Sequence, residues 1–198
     1  MSIYQLKPAF QALLRPIVGF LVQCKFTPNV ITVIALLSSI IVGAWIATDA
    51  DNPAVLFLLP LFLFIRMALN AIDGMMAREY NMCTDLGVYL NELGDMIADT
   101  ALYLPLALVP GFSPLLMVLI IMLALLSETA GIIATQIGHE RRYDGPFGKS
   151  DRAFALGVIA LLLAFGVALA PFLVFIQWFM IALLVLTLYN RIHHGLKG

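Results

Sequence analysis

Long apolar runs separated by short polar turns fill most of the chain after residue 26. Each run is long enough to cross the hydrocarbon core of a bilayer, because a helix needs about 20 residues for that. Proline marks several of the boundaries, at Pro28, Pro53, Pro110 and Pro171. The pattern predicts six transmembrane helices, over residues 28–47, 53–79, 84–108, 114–137, 151–169 and 171–189.

The first 26 residues show a different pattern. Apolar residues such as Leu6, Phe10, Leu13 and Ile17 recur there at helical spacing, between glutamines and basic residues. This pattern is typical of an amphipathic helix that lies in the membrane interface. The chain is therefore predicted to be a single all-α integral membrane domain over residues 1–198, in which an interfacial helix (1–26) precedes a six-helix bundle (27–194).

Composition supports a membrane protein and the basic residues predict its orientation. Hydrophobic residues make up 62% of the chain, whereas they are roughly half of a soluble domain. Lys and Arg are concentrated in cytoplasmic loops. Placing both termini in the cytoplasm puts every basic residue except Arg66 on that side and leaves the three outer turns without any. In a bacterium the location would be the inner (cell) membrane. The net charge of −1 argues against a nucleic-acid partner.

Polar residues interrupt the second and third predicted spans at helical spacing. Together with small residues, they share one face of each span. These faces carry Asn70, Asp73, Ala77 and Arg78 on the second span, and Gly87, Asn91 and Asp95 on the third. Carboxylates inside a membrane need a metal, a counter-charge or water. The predicted topology places Asp73 and Asp95 roughly 8–16 Å below the cytoplasmic surface. The two spans therefore predict a polar pocket that is open to the cytoplasm.

The residue types of this pocket indicate a chemistry. Oxygen ligands without Cys or nearby His favour Mg²⁺ or Mn²⁺ over zinc. Gly74 and Ala77 leave room for a substrate beside the helix, and the planar guanidinium of Arg78 suits a phosphate. For each small residue alone, including Gly87 and Gly94, a role in helix packing is an equal alternative. Helix packing does not explain two acids and an arginine at one place.

The spacing of these residues resembles the signature of the CDP-alcohol phosphatidyltransferases, Asp-x2-Asp-Gly-x2-Ala-Arg-x8-Gly-x3-Asp-x3-Asp. The positions that match it are Asn70, Asp73, Gly74, Ala77, Arg78, Gly87, Asn91 and Asp95. Two further segments are similar to the family. They are Thr27-Pro28-Asn29-x-Ile31-Thr32 at the start of the first span and Gly148-Lys149 before the fifth. The likeness extends over essentially the whole chain.

The resemblance implies a reaction, a cofactor and roles for these residues. An alcohol hydroxyl would attack the β-phosphate of a CDP-alcohol, with CDP-diacylglycerol as the commonest donor, and CMP would be released for phospholipid biosynthesis. Asp95 would be the general base, and Mg²⁺ or Mn²⁺ would bind Asp73, Asp95, Asn70 and Asn91. The nucleotide would contact Asp73, Gly74, Ala77, Arg78 and Gly87. Lys149 and Arg152 would contact an acceptor or lipid phosphate, although membrane topology and binding to anionic lipid headgroups explain these basic residues equally well. A homodimer is also implied.

The sequence departs from the family pattern at two positions, because Asn70 and Asn91 stand where the signature has Asp. Amide oxygens still ligate hard cations, so weaker or single-metal binding is predicted. Asp99 is predicted to form a buried ion-paired network with Arg66 and Glu128. Two alternatives to an active transferase remain. One is a catalytically weakened relative that binds nucleotide or lipid. The other is an ion-coupled transporter, which the lack of repeated halves disfavours.

Overall fold

The computed structural model describes the backbone of residues 3–197 and the side chains of residues 9–197. Met1, Ser2 and Gly198, which belong to the predicted domain, lie outside the described residues. Between residues 3 and 197 the chain is helical and contains no strand. The helices are α1 (Ile3–Gln23), α2 (Pro28–Thr48), α3 (Pro53–Glu79), α4 (Asp85–Tyr103), a 3₁₀ helix (Leu104–Leu108), α5 (Pro114–Gln136), α6 (Lys149–Ala164) and α7 (Ala170–Gly195).

The structure confirms an all-α protein with helices suited to a membrane. Four helices in the described range, α2, α3, α5 and α7, are long and apolar enough to cross a bilayer. Helix α4 carries acidic residues at positions 85, 92, 95 and 99, and α6 is only 16 residues long. The predicted number of six transmembrane helices therefore stays a prediction.

Local capping explains where several helices begin. The hydroxyl of Thr27 accepts the backbone N–H of Val30 at 3.4 Å, and Pro28 is the first residue of α2. The hydroxyl of Ser113 accepts the N–H of Leu116 at 3.5 Å at the start of α5. The predicted bounds of the first, second and fourth spans agree with α2, α3 and α5 within one residue.

The last two helices differ from the prediction. Helix α6 ends at Ala164 rather than at residue 169, because the chain turns at Gly166, whose φ of +75° is a conformation that favours glycine. Pro171 does not end a helix but lies in the first turn of α7, where a missing N–H costs nothing. Helix α7 also continues to Gly195, beyond residue 189 where the sixth span was predicted to end.

The chain divides into two compact units. The first unit consists of Met1–Ile41 and Leu61–Asp99. Its core contains residues of three helices, namely Leu14 and Val18 of α1, Ile31 of α2, and Ile72, Met75 and Met76 of α3. Leu13 and Phe20 on the other face of α1 remain exposed by 72% and 64%, and the interfacial position of this helix stays a prediction. An ion pair of 2.9 Å between Arg15 and Glu79 joins α1 to α3.

The second unit consists of Val42–Pro60 and Thr100–Gly198. Within it, the end of α2 and the end of α4 approach so closely that a Cβ at Gly43 would overlap the backbone carbonyl of Ala101. Helices α5 and α7 are joined by Gln177, whose amide both accepts the N–H of Ser113 at 2.9 Å and donates to its carbonyl at 3.0 Å. Hydrogen bonds of this kind satisfy the backbone polar groups at the start of a helix.

Candidate active site

Helix α3 carries the first half of the signature, within the first unit. The helical spacing confirms that Asn70, Asp73 and Ala77 follow one another along one face. Asp73 is 5% exposed, and its Oδ2 accepts a hydrogen bond of 2.8 Å from the hydroxyl of Thr32 on α2. A buried carboxylate in an apolar helix is thereby given a polar partner on the neighbouring helix.

Gly74 leaves space for the side chain of Arg78. A Cβ built at Gly74 would lie 3.2 Å from both Nη atoms of the Arg78 guanidinium, which is closer than ordinary van der Waals contact. The guanidinium therefore folds back over the helix one turn before its own Cα, while Arg78 as a whole stays exposed. Glycine at position 74 thus makes room for the guanidinium of Arg78, which places a planar cation at the solvent-exposed end of α3.

Gly87 explains how α2 and α4 meet at the start of the second half of the signature. The hydroxyl of Thr84 accepts the N–H of Gly87 at 2.9 Å and the side-chain amide of Asn29 at 3.2 Å. A Cβ at Gly87 would lie 2.7 Å from Oδ1 of Asn29, which is too close to be tolerated without displacement. Gly87 therefore allows Asn29 to contact the first turn of α4.

Asp95 lies at the centre of a group of buried polar side chains. Its Oδ1 accepts hydrogen bonds from Nδ2 of Asn70 and from Nη2 of Arg66, both at 3.0 Å. Nη2 of Arg66 also donates to the backbone carbonyl of Asp95 at 3.2 Å, and Nη1 donates to Oδ1 of Asp99. Arg66 is 4% exposed. The structure thus brings Asn70 and Asp95 together, and Asn91 lies half-buried one turn before Asp95 on the same helix.

The predicted network of Arg66, Asp99 and Glu128 is correct only in part. Arg66 and Asp99 form the expected ion pair. Glu128 instead belongs to the second unit, where Arg152 and Arg191 bind its carboxylate at 2.9 and 3.2 Å and Arg141 lies at 3.6 Å. A contact between Arg66 and Glu128 stays a prediction.

Lys149 and Arg152, the predicted phosphate-binding residues, lie at the start of α6 in the second unit. Lys149 is the first residue of α6 and is half-buried, whereas Arg152 is 1% exposed. Arg152 donates to Glu128 and, at 3.3 Å, to the carbonyl of Phe147. Arg191 donates to the carbonyl of Ser127 at 2.7 Å. A contact of these residues with a phosphate stays a prediction.

The donor set of the first unit fits a hard divalent cation in its chemistry. Carboxylate oxygens of Asp73 and Asp95 and amide oxygens of Asn70 and Asn91 are ligands that Mg²⁺ or Mn²⁺ accepts. Among the residues that the structure describes, no group of three or more His, Cys, Asp or Glu side chains is arranged to hold a metal ion. The four ligand assignments stay predictions.

The helices and the site define a class: an α-helical membrane protein in which acidic and amide side chains of neighbouring helices lie in contact. A family model described as CDP-alcohol phosphatidyltransferase matches residues 25–189. The chain belongs to this family. Inner membrane protein YnbA of Escherichia coli (strain K12) is 46% identical over 178 residues, which are 90% of this chain and 85% of that protein. An uncharacterized protein of Aquifex aeolicus (strain VF5) is 32% identical over 95 residues, 48% of this chain and 46% of that protein.

Solved structures with a similar fold include phosphatidylinositol phosphate synthase (PgsA1) of Mycobacterium tuberculosis. The crystal structure with CDP-DAG bound has a TM-score of 0.75 at 22% identity, and the match covers 91% of this chain and 92% of that one. The crystal structure in complex with manganese and citrate has a TM-score of 0.77 at 21% identity, with 92% and 88% covered. Identity this low shows the fold alone.

Sequence reasoning missed the residues that support the signature. Thr32 and Asn29 were noted as part of a segment similar to the family, but no role followed from that segment. The structure gives each a contact, with Asp73 and with Thr84 respectively. The contact of Arg66 with Asp95 was also not predicted, although a lone arginine four residues before Asn70 in an apolar helix is a signal that could have indicated it.

Proposed function

We propose that this protein is an integral membrane enzyme that transfers a substituted phosphate group from a CDP-alcohol to the hydroxyl of an alcohol acceptor and releases CMP. CDP-diacylglycerol is the first donor to test, because a structural relative is described with CDP-DAG bound. The observation that carries the proposal is the cluster around Asp95. Here the last acid of the signature lies half-buried beside Asn70 on the adjacent helix, in the spacing of a family that performs this reaction.

The reaction assigns a task to Asp95. The acceptor oxygen forms a bond to the phosphorus that carries the alcohol substituent, and the bond from this phosphorus to the oxygen of CMP breaks. Asp95 accepts the proton that the acceptor hydroxyl loses. Hydrogen bonds from Asn70 and Arg66 to Oδ1 fix the direction of the carboxylate, which a general base requires. A divalent ion, when bound, supplies charge stabilisation for the diphosphate and the leaving CMP.

Arg78 and the small residues of α3 serve the nucleotide in this proposal. The guanidinium lies over Gly74 at the exposed end of the helix, so it can form paired hydrogen bonds with a phosphate without first leaving a salt bridge in the protein interior. Ala77 and Gly87 leave the backbone accessible near the same end of α3 and α4. Asp73, held by Thr32, is the principal metal ligand.

The arginines around Glu128 support an acceptor that carries a phosphate or another anionic group. Three arginines, Arg141, Arg152 and Arg191, surround the Glu128 carboxylate at 3.6, 2.9 and 3.2 Å. Nε of Arg191 is buried and has no hydrogen-bond partner among the described residues, and such a donor fits an anion. Lys149 stands at the N-terminus of α6, where the helix dipole adds to the attraction.

The proposed membrane arrangement has six transmembrane helices and both termini in the cytoplasm. Helix α4 is followed directly by the 3₁₀ helix Leu104–Leu108, so the continuous helical segment runs from residue 85 to 108 and is long enough to span. Exposed Arg15, Lys25 and Arg78 mark the cytoplasmic end of the first unit in this arrangement. The site would then face the cytoplasm in the inner membrane of a bacterium. A homodimer is expected from the resemblance.

The test is the release of CMP by the purified, detergent-solubilised protein. We expect turnover of at least one CDP-alcohol from a panel with Mg²⁺ or Mn²⁺, and a loss of at least about 100-fold in kcat for Asp95→Asn, which cannot act as a base. The exposed Asp49→Asn variant is the matched control and should keep full activity. No turnover of any CDP-alcohol with any alcohol or alcohol phosphate tested would refute the proposal.

A second candidate is a weakened relative that binds the nucleotide or lipid without turning it over. The observation in its favour is the pair of N–H donors on Oδ1 of Asp95, which hold that oxygen in hydrogen bonds inside the protein. This candidate predicts binding of a CDP-alcohol, measured by calorimetry, without CMP release. The transferase predicts both binding and release.

A further inference from the structure

Arg66 is the unusual residue of the first unit. It lies in an apolar helix, is 4% exposed, and is the one basic residue that the positive-inside pattern does not place at the cytoplasmic side. Burying a guanidinium in this position is costly unless several groups accept its hydrogen bonds. Arg66 has such acceptors on α4, because its two Nη atoms reach Asp95 and Asp99, which are one helical turn apart. The arginine therefore clamps the face of α4 that carries the last acid of the signature.

The hydrogen bonds on Asp95 limit what else its Oδ1 can bind. A carboxylate oxygen has two lone-pair directions. One is taken by Nη2 of Arg66 and the other by Nδ2 of Asn70, both at 3.0 Å. Oδ1 therefore cannot bind a metal ion without losing one of these donors. Asn70 acts here through its N–H group, a role that an aspartate at the same position could not perform without being protonated.

The net charge of these side chains also limits how many divalent ions the site can bind. The buried acids Asp73 and Asp99, the half-buried Asp95 and the buried Arg66 together carry a formal charge of −2. One divalent ion neutralises this set, whereas two ions would leave it at +2 in a region of low dielectric. The four-acid signature of the family has charge for two divalent ions, and the chain with Asn70 and Asn91 does not.

We infer that Arg66 is a fixed cation that takes the place of a second divalent ion: with Asn70 it occupies Oδ1 of Asp95, and the site binds one divalent ion. Arg66 is thus a positioning residue for Asp95. The inference rests on the proposed function for the assignment of these residues to a catalytic metal site. The number of ions bound, however, can be measured without turnover.

The experiment counts Mn²⁺ bound per chain in the full-length protein in detergent. The electron paramagnetic resonance signal of free Mn²⁺ gives the bound amount at each point of a titration. We expect one Mn²⁺ per chain in the wild type and in Arg66→Lys, which keeps the positive charge. Asn70→Asp alone should still bind one ion, and Asn70→Asp combined with Arg66→Met should bind two, because both donors on Oδ1 are then absent and a carboxylate is added. Asp73→Asn measures the background.

Each outcome decides for or against the inference. Two ions or none in the wild type would overturn it, as would two ions in Arg66→Lys or a single ion in the folded double variant. If the double variant does not fold, the counts for the wild type and Arg66→Lys still decide. CMP release is measured in parallel. One bound ion without any turnover refutes the proposed transferase and leaves the inference standing, whereas turnover with two bound ions refutes the inference alone.

Discussion

The hydroxyl of Thr32 offers the most direct way to test whether the structure around Asp73 matters for function. It donates to Oδ2 of Asp73 at 2.8 Å and lies 3.1 Å from the carbonyl of Pro28. A hydroxyl has one proton, and a carboxylate is the stronger acceptor. Thr32→Val keeps the shape of the side chain and removes this donor. The change leaves Asp73, 5% exposed, without the partner that α2 provides.

The magnitude follows from the type of hydrogen bond. A hydrogen bond to a charged group contributes about 1.5–3 kcal/mol, and each 1.4 kcal/mol is a factor of about ten. If the bond holds Asp73 in its working position, Thr32→Val should lower Mn²⁺ affinity and kcat/KM for the CDP-alcohol by roughly 10- to 100-fold. This range is the one usually found when a group that orients a metal ligand is removed.

The assay combines the Mn²⁺ titration with CMP release at several donor concentrations. Thr32→Ser should keep most of the affinity, because it restores the hydroxyl. Thr129→Val is the matched control, since the hydroxyl of Thr129 is exposed and donates only to Leu125 in its own helix. That control should change both quantities by no more than about twofold. The reasoning is refuted if Thr32→Val binds Mn²⁺ and turns over its donor like Thr129→Val.

Two further predictions concern stability and are measured by thermal unfolding in detergent. Gly43→Ala should lower the free energy of unfolding by about 1–3 kcal/mol or more, because the added methyl group overlaps the carbonyl of Ala101. The control Gly19→Ala, where the methyl group has space, should keep or raise the Tm. Equal Tm values for the two variants would contradict the close approach of α2 and α4. Glu128→Gln should lower the free energy of unfolding by about 3–5 kcal/mol, a fall in Tm of roughly 6–20 °C, because it removes the negative charge that Arg152 and Arg191 bind. The exposed Glu140→Gln should have no effect. A small shift for Glu128→Gln would show that those arginines have other partners.

Much of the fold could be predicted from the sequence because helices in a membrane are long, apolar and bounded by turn residues. The bounds of α2, α3 and α5 and the shared face of Asn70 and Asp73 follow from composition and the helical period alone. The end of α6 was missed because Phe165 to Leu169 is as apolar as the helix before it. There the left-handed conformation of Gly166 ends the helix, and hydropathy does not register that conformation.

The partners of the buried charges could be predicted only in part, since they depend on which helices are neighbours: the pair of Arg66 and Asp99 was expected, and the contact of Arg66 with Asp95 was not. Periodicity states that Asp95 and Asp99 share a face of α4, but not that Arg66 faces it. Depth in the membrane suggested Glu128 as a partner of Arg66, but it did not indicate the contacts of Glu128 with Arg152 and Arg191 that the structure shows. The support that Thr32 gives to Asp73 joins residues 41 positions apart, a relation that a single sequence does not contain.

The hydrogen bond from Asn70 to Asp95 has a consequence for how this chain can change during evolution. Replacing Asn70 by Asp while Arg66 stays sets two carboxylate oxygens about 3 Å apart, so the new chain needs a proton or a cation at the same step. Replacing Arg66 first removes an ion-pair partner from two acids at once. Neither order has a neutral first step, and the arginine and the asparagine should be inherited or lost together. Relatives that keep one without the other should be rare.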